Sequence, residues 1–67
     1  MHTDEKLAMM ANQIATFFAA QGEERAIPAI ADHIRKFWDP EMRRKFLSIA
    51  PDAMLHPFVR SALPLIR

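Results

Sequence analysis

Apolar residues recur at helical spacing along most of this chain. Leu7, Met10, Ala11, Ile14, Phe17 and Phe18 fall within about 120° of arc on a wheel of 3.6 residues per turn. Asn12, Gln13 and Thr16 lie off that stripe. Ala8, Ala15 and Ala19 flank it, where small side chains let another helix approach closely. Thr3 is a candidate N-cap, followed by Asp4 and Glu5 where the helix dipole favours negative charge. Gln21-Gly22 supplies a stop, so the pattern predicts a first helix over residues 4–20.

A second stripe comprises Ile27, Ile30, Ala31, Ile34, Phe37 and Trp38. It repeats the first at all six places after a shift of twenty positions, and helix periodicity alone accounts for the match. Pro28 suits a first turn, which places this helix over about 26–38. Two such stripes joined at Gly22 should pack as an antiparallel αα-hairpin. Asp39-Pro40-Glu41 then reads as a cap, a first helical position and a dipole-matched acid. A third helix over 40–50 carries Met42, Phe46 and Ile49 on one face, and Pro51-Asp52 ends it. A fourth over 57–63 uses Phe58, Val59, Ala62 and Leu63, and should stop at Leu63 because Pro64 clashes with the carbonyl four residues back. The expectation is an all-α fold: a single small helical domain over 1–67, with an antiparallel αα-hairpin and two shorter helices.

Length makes that core marginal. A chain of 67 residues and 7.7 kDa is one domain at most. At this size only about 60% of the unfolded surface is buried, so the core needs good helix packing or a partner. Cysteine is absent, which excludes disulfides, iron–sulfur clusters and thiolate zinc sites. Nothing points to an oxidising compartment, and the expected location is cytoplasmic. No apolar run is long enough to span a membrane, and the start Met1-His2-Thr3-Asp4-Glu5 is unlike a signal peptide. A net charge of +1 gives no strong field toward nucleic acid or membrane. A composition 51% hydrophobic and 25% charged argues against disorder.

Candidate chemistry is sparse. His2, His33 and His56 are far apart, none with a partner at metal-ligand spacing on its own helix face. His33 lies off the apolar stripe and reads as a solvated or locally hydrogen-bonded side chain. There is no Gly-rich phosphate loop, nucleophile motif or recognisable carboxylate pair, so a stand-alone enzyme is disfavoured. Arg35, Lys36, Arg43, Arg44 and Lys45 cluster around the second turn. A small helical nucleic-acid-binding regulator using Arg43-Arg44-Lys45 is therefore the alternative reading. Two charges have simpler explanations, since Asp32 with Lys36 and Glu41 with Lys45 are (i, i+4) pairs with the acid first. A solvated face fits better, and nucleic acid is disfavoured.

A protein interface fits the surplus of apolar residues. Met9 and Leu47 lie outside their stripes, and Met54, Leu65 and Ile66 sit in short segments. Trp38 stands beside a proline-led turn that should cover it only in part. Five methionines and one tryptophan suit an adaptable contact surface. Self-association stays open as a third reading.

The text of the sequence is more specific than its pattern. Met10-Ala11-Asn12-Gln13-Ile14-Ala15, Phe17-Phe18, the block Ala31-Asp32-His33-Ile34-Arg35-Lys36-Phe37-Trp38-Asp39-Pro40, and Met42-Arg43 resemble the delta subunit of NAD-dependent formate dehydrogenase. The likeness continues more loosely through Leu55-His56-Pro57-Phe58-Val59-Arg60, and the segment Ala50-Pro51-Asp52-Ala53-Met54 departs from it. The resemblance implies a non-catalytic small subunit, or an assembly or stability factor, of a cytoplasmic molybdenum-containing oxidoreductase complex. In that complex the other subunits carry the molybdenum centre, iron–sulfur clusters, flavin and NAD site, while this chain holds no cofactor, metal or catalytic residue. The implied partner is the catalytic subunit, with no membrane attachment. Under this reading Phe37 anchors the second helix in the core. His33, Arg35, Trp38 and Arg43 face the partner, with Asn12 and Gln13 as a second contact.

Overall fold

The computed structural model describes residues 2–67, with side chains from Asp4 onward. Helix α1 spans His2–Ala19, α2 spans Glu23–Phe37, α3 spans Pro40–Ile49 and α4 spans Pro57–Ile66. A single 3-10 turn, Ala50–Asp52, comes directly after α3. The described residues contain no strand, and the fold is all-α. The N-cap expected at Thr3 involves a side chain outside the described residues, and α1 already begins at His2.

The turns arise from local chemistry. Gly22 has φ 93° and ψ 153°, a region that favours glycine. Its carbonyl accepts from Arg25 N and Ala26 N at 3.2 and 2.8 Å, which anchors the first turn of α2. Helix α2 therefore starts at Glu23, ahead of the expected residue 26. Pro28 lies within it at the exposed surface, where water can take up the Glu24 carbonyl that proline leaves unpaired. Asp39 caps α3, its Oδ1 accepting from Met42 N at 2.8 Å, with Pro40 next. His56 caps α4 in the same way, its Nδ1 accepting from Phe58 N at 3.0 Å, so the neutral ring carries its proton on Nε2.

Helix α4 corrects the expected stop at Leu63, because it continues through Pro64 to Ile66. Ile66 is 2% exposed, and burying it holds the last turn in place against the local preference of proline. Burial outweighs propensity here.

Helix α2 is central, packed on α1 and most extensively on α4. It buries the row Ala26, Ile30, Ile34, with Trp38 continuing the row just past its end, while α1 buries Leu7, Ala11 and Ala15. Both rows step by four residues, the ridge spacing of packed helices. Phe46, Ile30, Ile34 and Val59 are the largest fully buried side chains. No charged or polar residue is buried among those described.

This arrangement corrects two expectations about the block around residue 38. Phe37, read as the core anchor, is 72% exposed, whereas Trp38, read as partly uncovered, is only 5% exposed. Trp38 is the C-cap with φ −90° and ψ 133°, so the backbone has left the helical path. The Asp39-Pro40 turn folds α3 back so that Phe46 meets the indole edge-on, with ring centroids 5.4 Å apart.

Candidate functional site

Two exposed apolar regions border α1. The first is aromatic. Phe17 and Phe18 meet edge-on at 5.2 Å, and His33 lies 6.1 Å from Phe18 and 4.8 Å from Phe37 between ring centroids. His33, read as a solvated or locally hydrogen-bonded side chain, is half-buried in this cluster with its ring packed near Phe18 and Phe37. A cleft of about 390 Å³ opens there, lined by Met10, Gln13, Ile14, Phe18, His33 and Trp38 among others. Phe17 is 76% exposed, so the cluster presents a large phenyl ring to solvent at each end.

The second region is a larger cleft of about 810 Å³ between α1 and the segment after α3. Met9 and Met54 stand at its edges, 57% and 90% exposed. Asn12 secures it: Nδ2 donates to the Met54 carbonyl at 2.9 Å, and Oδ1 accepts from His56 N at 2.8 Å. One amide thus holds the irregular Met54–His56 strap against α1. Arg60 closes the strap's other side by donating to the Ala50 carbonyl at 3.3 Å and the Ala53 carbonyl at 2.7 Å. Those carbonyls lie at the end of α3 and the turn after it; the Ala50 carbonyl also accepts from Ala53 N at 3.2 Å, so Arg60 is its second donor. Sequence reasoning missed both devices, since Asn12 reaches residues 42 and 44 positions away.

The six anticipated contact residues are therefore dispersed. Gln13, His33 and Trp38 line the aromatic cleft, and Gln13 also lines the second cleft with Asn12. The amide of Asn12, read as part of a second contact with the partner, bonds the chain's own backbone. Arg35 is exposed beside Asp32 and Leu65 in a shallow hollow, away from His33, since a two-residue step on a helix turns through about 200°. Arg43 is half-buried on α3 and lines none of these clefts; its Nε is enclosed without a hydrogen-bond partner.

The basic cluster does not form one face. Arg43, Arg44 and Lys45 are consecutive and point about 100° apart in turn. Lys45 pairs with Asp4 on α1 at 3.5 Å rather than forming the expected (i, i+4) pair with Glu41, because α3 packs beside the start of α1. Asp32 and Lys36 do form their pair at 3.2 Å. With Arg43 half-buried and Lys45 drawn toward Asp4, the nucleic-acid alternative finds no support. Among the described residues, no group of three His, Cys, Asp or Glu side chains is placed to hold a metal ion. No helix among them is long and apolar enough to cross a membrane.

The class of protein is thus a small all-α domain whose exposed features are apolar clefts and aromatic rings. Residues 6–63 of the 67 match the family model described as "NADH-dependant formate dehydrogenase delta subunit FdsD". The chain belongs to this family. No match was found among curated proteins or among solved structures.

Proposed function

We propose that this chain is a non-catalytic subunit of a cytoplasmic formate dehydrogenase and binds its catalytic subunit through the apolar side chains it leaves in solvent. The carrying observation is the exposure of Met9, Phe17, Phe37, Met54 and Leu65 on so short a chain. Scattered exposed apolar residues are ordinary, but methionines and aromatics gathered beside preformed clefts are a feature of protein interfaces. The polar side chains best placed for chemistry serve the fold instead. His56 caps α4, Asn12 ties down the strap, and Arg60 caps the end of α3. Within the complex, such a subunit would stabilise the catalytic subunit or assist its assembly by covering apolar surface on both partners.

The test is co-expression with the catalytic subunit, comparing the wild-type chain with Phe17→Ala/Phe37→Ala. Both rings are exposed, so the variant keeps its helical circular dichroism. If the aromatic face carries part of the contact, the yield of co-purified catalytic subunit falls. Unchanged recovery would remove both rings from the interface. Failure of the wild-type chain to bind any dehydrogenase subunit would refute the proposed function itself.

A further inference from the structure

We infer that the cleft beside Met9 and Met54 receives an α-helix of the dehydrogenase partner, one with an apolar stripe and with lysine or arginine where it passes Glu5 and Asp52. This rests on the docking function proposed above and assigns the occupant of one surface.

The shape of the cleft sets the first constraint. Its α1 wall is formed by Asp4, Glu5, Ala8, Met9, Asn12, Gln13 and Thr16, which share one side of the helix. From residue 4 to residue 16 the helix rises about 18 Å at ~1.5 Å per residue, enough for three turns of a second helix alongside. The facing wall is Ser48, Ile49, Ala53 and Met54, with Asp52 at its rim. Ala8 and Ala53 are small and leave room for an approaching backbone, as small residues do where helices pack closely. Met9 and Met54 can adjust around an incoming side chain.

Hydrogen bonding sets the second. Asn12 is engaged with the Met54 and His56 backbone, the Thr16 hydroxyl donates to the Asn12 carbonyl at 3.0 Å and the Ser48 hydroxyl to the Lys45 carbonyl at 2.7 Å, while the exposed Gln13 amide is left for a side chain of the occupant. The walls are helical or tied to helices, with no strand edge among the described residues. An extended peptide would find no ladder of backbone partners there, whereas a helix satisfies its own. The floor therefore suits apolar side chains from a segment already hydrogen-bonded internally.

Charge sets the third. Asp4, Glu5 and Asp52 line the cleft, and no lysine, arginine or histidine does. Asp4 is paired with Lys45, while Glu5 and Asp52 have no ion-pair partner among the described residues. Two uncompensated carboxylates beside an apolar trough favour a basic segment and oppose an acidic one.

The test places a photo-crosslinking amino acid at position 9, at position 54, or at Arg35 as a remote control. Each full-length chain is co-expressed with the dehydrogenase subunits, and crosslinked peptides are sequenced. Positions 9 and 54 should capture one partner segment with helical apolar spacing and Lys or Arg, while position 35 should not capture it. In parallel, Glu5→Lys/Asp52→Lys should lower recovery of the partner about tenfold at low salt, with a smaller loss at high salt. All of these side chains are exposed, and circular dichroism checks that the variants remain folded. A complex that forms without crosslinks from positions 9 and 54, or with crosslinks to an acidic or non-helical segment, overturns the assignment and leaves the docking function standing. Undiminished recovery of Glu5→Lys/Asp52→Lys at low salt does the same. Absence of any complex with the wild-type chain overturns both.

Discussion

Phe17-Phe18 near the end of α1 and Phe37-Trp38 at the end of α2 occupy equivalent places in two stripes twenty residues apart. Their first members behave alike, being 76% and 72% exposed. Their second members do not: Phe18 is half-buried, whereas Trp38 is enclosed. The difference lies in the turn on the C-terminal side of each pair. After Phe18 the chain turns at Gly22 into α2, leaving the aromatic pair at the edge of a two-helix contact. After Trp38 the Asp39-Pro40 cap folds α3 back, and Phe46 covers the indole. Periodicity places a side chain on a helix face, but the next turn decides whether that face becomes core or surface.

That comparison can be broken by substitution. Trp38→Ala should cost about 3–5 kcal/mol, as for a large aromatic removed from a packed core, and urea or thermal melting would measure it. Gly22→Ala should cost about 1–3 kcal/mol, through backbone strain alone, since φ 93° and ψ 153° suit only glycine while an added Cβ would meet nothing within 4 Å. Phe18→Ala should cost less, about 1–2 kcal/mol, because its ring is only partly withdrawn from water. Asp39→Ala removes the side-chain cap of α3 and should cost about 1 kcal/mol by the same melts. Phe17→Ala and Phe37→Ala should each change stability by no more than about 0.5 kcal/mol, although they are large aromatics. A loss of several kcal/mol at Phe37 would put it back in the core and reverse the comparison.

Much of this architecture was legible in local pattern. The helix capped by Asp39-Pro40, the Gly22 turn and the Asp32–Lys36 pair each depend on residues a few positions apart, and each formed as the spacing implied. The continuation of α4 past Pro64 was not legible, because it depends on the burial of Ile66 against the rest of the fold. The reversal of Phe37 and Trp38 arose in the same way, from α3 closing over the indole. The second cleft was the least legible feature. Its strap is held by Asn12 across more than forty residues and by Arg60 from α4, and no local signal marks either contact. Met9 and Met54 were singled out as surplus apolar residues, but only the folded chain brings them to the edges of one cleft.

The proposed function has these uncovered apolar side chains meet a dehydrogenase subunit. Its most direct test is mild affinity purification of the wild-type chain from its native host, with mass spectrometry and a formate-dependent NAD reduction assay on the eluate. The account predicts recovery of the catalytic subunit together with that activity. Recovery of the chain alone, or with nucleic acid and no dehydrogenase subunit, would contradict it.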